Sequence, residues 1–178
     1  NTCKTTSPSG AQDAALLYFM LDTGLRANEI LSLNLEDVNQ ARGEILIRKG
    51  KGHKPRYVYI GSKTKKALRH YLSFRKDNFE GLWVQEPRFG IERLHYGGLR
   101  QIIIRRAVDA GVEIPAPHDF RRAFAIMMLR NGTDVFTLAK SMGHEGITVL
   151  QRYLKQTNLD VEIAHRKSGP VDSLEKNI

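Results

Sequence analysis

The chain has 178 residues, with 41% hydrophobic and 26% charged residues, which is enough for one domain with its own core and argues against wholesale disorder. A single cysteine, Cys3, excludes an internal disulfide or a thiolate zinc cage. The formal charge of +9 is concentrated, because Arg48 to Lys76 holds 11 basic residues and no acidic one, the pattern of a face that binds a polyanion.

Residues 1–10 are polar and read as a linker remnant. A helix is expected from Ala11 to Asp22, with Ala14, Leu17, Tyr18 and Leu21 at helical spacing and Gly24 as its stop. A short helix follows from Ala27 to about Leu33. Glu44 to Arg48 and Arg56 to Ile60 are β-prone and flank the loop Lys49-Gly50-Lys51-Gly52-His53-Lys54-Pro55, which predicts a hairpin. Ser62 is the expected N-cap of a helix to about Lys76. A short strand is expected at Leu82 to Val84. Arg93 to Ala110 reads as a helix with Leu99, Ile102, Ile103, Arg106, Ala107 and Ala110 on one face, stopped by Gly111. Pro115 and Pro117 force an extended entry into a helix from His118 to Asn131, ended by Gly132. Asp134 caps a helix to about Met142, ended by Gly143. Two more short helices are expected at Gly146 to Leu154 and Leu159 to His165. The fold class is mainly α with one small antiparallel β-sheet. The domain spans residues 11–166, and 167–178 form a polar, flexible tail.

Several chemistries lack their residues. Apolar runs such as Ala14 to Leu21 are too short to span a bilayer, and the N-terminus lacks a signal-peptide pattern, so the expected setting is cytoplasmic. Gly61-Ser62-Lys63-Thr64 imitates only the end of a nucleotide-binding loop. The six histidines are scattered, and carboxylate pairs at metal-binding spacing are missing. No cofactor, metal or nucleotide is expected.

What the sequence does hold is a set of groups suited to a phosphodiester. Thr23-Gly24-Leu25-Arg26-Ala27-Asn28-Glu29-Ile30 puts Arg26 at a turn into a helix, where it offers a fork of donors to phosphate or pairs with Glu29. Lys51 sits between glycines at the hairpin tip, either reaching into a groove or simply in solvent. His118-Asp119-Phe120-Arg121 sets a proton-transfer group and a phosphate clamp three apart on one helix face. His144 follows Gly143 at a helix boundary, and Tyr153 lies nine residues later; helix capping and half-burial are their ordinary roles.

In this order, Arg26, Lys51, His118, Arg121, His144 and Tyr153 resemble the catalytic set of the tyrosine recombinases, or phage-type integrases. That family's pattern is Arg in a Thr-Gly-Leu-Arg-x-x-Glu turn, Lys in a Gly-Lys-Gly hairpin, His-x-x-Arg, Gly-His and a nucleophilic Tyr. The resemblance runs from Ala11 to Lys155. Phe120 departs from the more common Leu but stays large and apolar. Each motif is weak by itself; the ordered set is specific.

The resemblance implies the fold of a tyrosine recombinase catalytic domain, without the N-terminal DNA-clasping domain such enzymes carry. It implies attack by Tyr153 on a DNA phosphodiester, giving a 3′-phosphotyrosyl link, then strand exchange and religation. Arg26, Arg121 and His144 would serve the phosphate, Lys51 would be the general acid and His118 the proton shuttle. Glu29 would orient the Arg26 region. Lys49, Lys54, Arg56, Lys63, Lys65, Lys66 and Arg122 are the expected DNA-backbone contacts. The implied partner is double-stranded DNA, with a monomer off DNA and a homotetramer on it, Leu159 to His165 either docking on a neighbouring protomer or closing the domain's own core. A type IB topoisomerase and a non-catalytic DNA-binding module on the same fold are the alternatives.

Overall fold

Ser7, Pro8 and Gly24 delimit the first helix, α1 (Pro8–Thr23), in a computed structural model that describes residues 3–48, 55–88, 90–143 and 165–166. The Ser7 side chain accepts from the Gly10 N–H at 3.2 Å, and Pro8 occupies the first turn, where its missing donor costs nothing. The helix therefore starts three residues before the expected Ala11, and the boundary at residue 10 falls inside it. Of the apolar residues at helical spacing, Ala14, Leu17 and Leu21 are half-buried. Tyr18 is 49% exposed, and the buried positions are Ala11, Ala15, Leu16, Phe19 and Met20.

The short helix α2 (Ala27–Leu31) leads through a 3₁₀ turn at Leu35–Asp37 into a three-stranded antiparallel sheet. Its strands are β1 (Val38–Asn39), β2 (Glu44–Ile47) and β3 (Arg56–Tyr59), in that order. The register pairs Ile45 with Val58 and Ile47 with Arg56. Ile45, Ile47 and Val58 point into the core, while Tyr57 and Tyr59 face outward. β2 and β3 match the predicted hairpin arms; β1 was not anticipated.

Helix α3 (Ser62–Phe74) buries Thr64, Leu68 and Tyr71 and packs on α1. Gly61, rather than Ser62, is its N-cap, and the Gly61 N–H donates to Asp22 at 2.7 Å, so a carboxylate from α1 meets the start of α3. Two short strands, β4 (Val84–Gln85) and β5 (Glu92–Arg93), pair antiparallel. The predicted strand at Leu82 to Val84 is displaced toward β4. Helix α4 (Tyr96–Ala110) starts after His95, whose Nδ1 accepts from the Gly98 N–H at 3.0 Å. Helices α5 (Pro117–Arg130) and α6 (Val135–Met142) fall within one residue of the expected bounds. The expected helices at Gly146 to Leu154 and Leu159 to His165, and the tail 167–178, lie outside the described residues except for His165, which is helical with Arg166.

Two apolar clusters result among the described residues. The larger joins α1, the three-stranded sheet, α3 and α4 around Phe19, Tyr71 and Trp83. Trp83 stacks on Tyr71 and meets Phe19 edge-on, each at 5.5 Å between centroids. The smaller holds Phe124, Ala125, Leu138, Ala139 and Met142 between α5 and α6. The architecture is mainly helical with small antiparallel sheets.

Candidate active site

The seam between the two clusters is where the polar groups meet. Arg121 lies in the middle of α5 and is 2% exposed. Its Nη1 donates to the Gly24 carbonyl at 2.7 Å and its Nη2 to the Met142 carbonyl at 2.8 Å. Those carbonyls belong to the C-terminal ends of α1 and α6, where helices carry unsatisfied acceptors and partial negative charge. One guanidinium thus ties two helix ends together.

Both ends stop at a left-handed glycine. Gly24 has φ of 58°, and a Cβ there would fall 2.1 Å from the Phe124 ring, so glycine is needed for backbone angle and for contact. Gly143 has φ of 67°, and a Cβ there would fall 2.9 Å from the Arg56 guanidinium carbon.

Two residues past Gly24, Arg26 caps α2. Its backbone N–H donates to Glu29 Oε2 at 3.0 Å, and its guanidinium lies 3.5 Å from Glu29 Oε1. The Arg26 side chain stays 37% exposed, whereas Glu29 is 8% exposed. Pairing with Glu29 and availability to a ligand therefore coexist.

Arg56 departs from its expected place among exposed DNA contacts. Its side chain is 14% exposed, and its Nη2 donates to both Glu29 oxygens at 2.9 and 3.0 Å. Its Nε donates to the Ser141 carbonyl at 3.3 Å, and its buried Nη1 has no hydrogen-bond partner among the described residues. A buried donor left unpaired costs about 1–3 kcal/mol. The signal for this was strand parity: Arg56 shares its face with Val58 and Ile60, both buried.

His118 is exposed on the first turn of α5, three residues before Arg121. Asp119 accepts from the Ala116 N–H at 2.8 Å and fixes the start of that helix. Arg122 is exposed. Lys63 and Lys66 are exposed on α3 and Lys65 is half-buried. Three members of the basic window instead serve the fold. Arg48 pairs with Glu36 and Asp37, Arg56 with Glu29, and Arg75 with Asp77. Hydrogen bonding to Asp37 raises the Arg48 pKa further above its ordinary value. Lys49, Lys51, Lys54, His144 and Tyr153 lie outside the described residues. The structure therefore pairs Arg26 with Glu29 and sets Arg121 on the Gly24 carbonyl, two residues before Arg26, and the described backbone reaches Gly143, one residue before His144 in the sequence.

Among the described residues, no cluster of His, Cys, Asp and Glu could hold a metal, and no helix is long and apolar enough to cross a membrane. A cavity of about 830 Å³ sits at the opposite end of α1, lined by Gln12, Asp13, Tyr71 and Arg75 among others, and none of the described candidate site residues lines it.

The chain belongs to the phage integrase family, whose family model matches residues 1–159. It is 31% identical over 167 residues to the tyrosine recombinase XerA of Thermococcus kodakarensis, covering 94% of this chain and 59% of that protein. The chain thus spans about three-fifths of that relative's length. The crystal structure of a XerA recombinase superposes with a TM-score of 0.77 at 24% identity, over 95% of this chain and 60% of the other. A XerH site-specific recombinase, solved in a pre-cleavage complex with its difH substrate, superposes with a TM-score of 0.69 at 22% identity, over 89% of this chain and 47% of the other.

Proposed function

We propose that this chain is the catalytic part of a site-specific DNA recombinase that cleaves and rejoins strands through Tyr153. The observation that carries the reading is the convergence of Arg26 and Arg121 on the Gly24 turn, next to the α6 end that leads into His144. Family membership and the likeness to a recombinase solved on its DNA substrate support it.

The phenol of Tyr153 attacks phosphorus, the 3′-phosphotyrosyl bond forms, and the 5′-oxygen leaves. The phosphodiester energy is kept in the covalent link, so rejoining needs no nucleotide. A phenol of pKa about 10 is a weak nucleophile at neutral pH, and surrounding cationic groups favour the phenolate. Arg26 and Arg121 neutralise charge growing on the non-bridging oxygens, where a preorganised donor is worth roughly 3–4 kcal/mol. Arg121 is held in one plane by two carbonyls, so little reorganisation accompanies that charge. Lys51 protonates the leaving 5′-oxygen, His118 moves the Tyr153 proton, and His144 donates to a phosphate oxygen. Lys49, Lys54, Lys63, Lys65, Lys66 and Arg122 contact backbone phosphates, which position the duplex without reading sequence. The active form is a homotetramer on double-stranded DNA, assembled from monomers.

A nicked suicide substrate tests this reading. The parent chain traps a covalent protein–DNA adduct, and Tyr153→Phe binds the same DNA with unchanged affinity and traps none. An adduct formed by the Phe variant would remove Tyr153 from the role.

A further inference from the structure

One side chain joins its own strand to two of the segments on which the site is built. Arg56 opens β3, the strand that follows Lys51 in the sequence. Its Nη2 holds both oxygens of Glu29, the same carboxylate that accepts from the Arg26 backbone and lies beside the Arg26 guanidinium. Its Nε holds the Ser141 carbonyl, two residues before the Gly143 stop, and its guanidinium carbon fills the space that a Cβ at Gly143 would need. Neither Glu29 nor Ser141 belongs to β3, so nothing local to the strand requires these bonds.

We infer that Arg56 is a positioning residue that sets the Arg26 turn and the Gly143 end of α6 relative to one another. The inference rests on the reading of those two segments as parts of the recombinase site. Its geometry is particular to a guanidinium. The two bonds to Glu29 and the bond to Ser141 leave from different nitrogens of one rigid plane. A lysine at 56 keeps the charge but has a single nitrogen, which can serve Glu29 or the Ser141 carbonyl, not both at these positions. With the tie broken, the Arg26 turn and the end of α6 each relax toward their own preferred place. Small misplacements of this kind cost chemistry far more than they cost folding.

The test compares Arg56→Lys with Arg106→Lys in the full chain. Arg106 is a matched control: its side chain is 13% exposed and pairs with the buried Asp13, far along α1 from Gly24. Two readouts are taken below the melting temperatures of both variants. The first is backbone amide exchange without DNA. Arg56→Lys is expected to speed exchange at Arg26 and at Gly143 by about tenfold, and Arg106→Lys to leave both unchanged. The second is the single-turnover rate of adduct formation at saturating protein, expected to fall by about 30-fold or more for Arg56→Lys and by less than about twofold for Arg106→Lys. Unchanged exchange at Arg26 and Gly143 in Arg56→Lys overturns the inference. So does an equal loss of rate in the two variants, because Arg56 would then matter only to stability. If the parent chain forms no adduct, the recombinase reading fails, and the exchange data still decide whether Arg56 links the two segments.

Discussion

Arg56 and Arg106 make a natural comparison. Both are close to fully buried, both hold a carboxylate that is itself buried, and both carboxylates also attract a second, more exposed arginine. At Asp13 the two arginines, Arg105 and Arg106, come from the same helix, and the arrangement staples α4 to α1. At Glu29 the partners come from different segments, and the bonds reach a strand start, a helix N-cap and a helix C-terminal carbonyl. Buried charge by itself marks neither place as functional. What separates them is the convergence of helix ends with Arg26 and Arg121 on the Glu29 side. The Asp13 staple joins two helices; Glu29 and Arg56 together join the start of β3, the N-cap of α2 and the end of α6.

The comparison breaks most visibly at Arg121. Arg121→Ala removes the phosphate donor and leaves the Gly24 and Met142 carbonyls without their bond. We expect adduct formation to fall by about 10³-fold, together with a stability loss of about 1–3 kcal/mol per orphaned carbonyl, read by single-turnover assay and denaturant melts. Arg26→Ala should lose about 10²-fold in the same assay. Its stability should move by less than about 1 kcal/mol, because the Arg26–Glu29 contact is long and the side chain is 37% exposed. Asp13→Asn should do the reverse. It breaks a buried pair and should cost about 3 kcal/mol in melts, while the adduct rate of the folded molecules stays within about twofold. A rate loss in Asp13→Asn that matches Arg26→Ala would erase the distinction between the two clusters.

The smallest expected effect lies at Asp77. A hydrogen bond from Arg75 holds its carboxyl below the ordinary aspartate range. A depressed folded pKa means that the group's stabilisation is present above its unfolded pKa and is lost as pH falls through the folded one. Melting temperatures of the parent should therefore drop below pH about 4 more steeply than those of Asp77→Asn. Parallel pH profiles would show that the Arg75–Asp77 pair adds nothing to acid stability.

The punctuation of the fold was legible in the sequence. Gly24, Gly111 and Gly143 end helices where local backbone chemistry says they should, and Asp134 caps α6 through bonds from Phe136 and Thr137. The two arms of the β2–β3 hairpin were legible for the same local reason. The interior was harder. On α1 the apolar residues run nearly all round, so which stripe faces the core depends on what packs there, and that is α3 and α5. β1 is two residues long and exists through its pairing with β2. Within the site, the residue types and their order pointed to Arg26 and Arg121, but no spacing rule reveals that Arg121 bridges Gly24 and Met142 across 97 and 21 residues. The count of basic residues treated Arg48, Arg56 and Arg75 as equals of the surface lysines, because charge in a sequence does not say which carboxylate it will meet. For Arg56 the alternation along β3 held the answer and was outweighed by the charge of the window.

The most direct test of the account is the chemical identity of the protein–DNA link. The adduct trapped on a nicked suicide duplex is digested with nuclease and trypsin, and the nucleotide-bearing peptide is sequenced by mass spectrometry. The account predicts a 3′-phosphate on Tyr153 and a 5′-hydroxyl on the released strand. Attachment to another tyrosine, such as the exposed Tyr57, Tyr59 or Tyr96, or linkage through a 5′-phosphate, would contradict it.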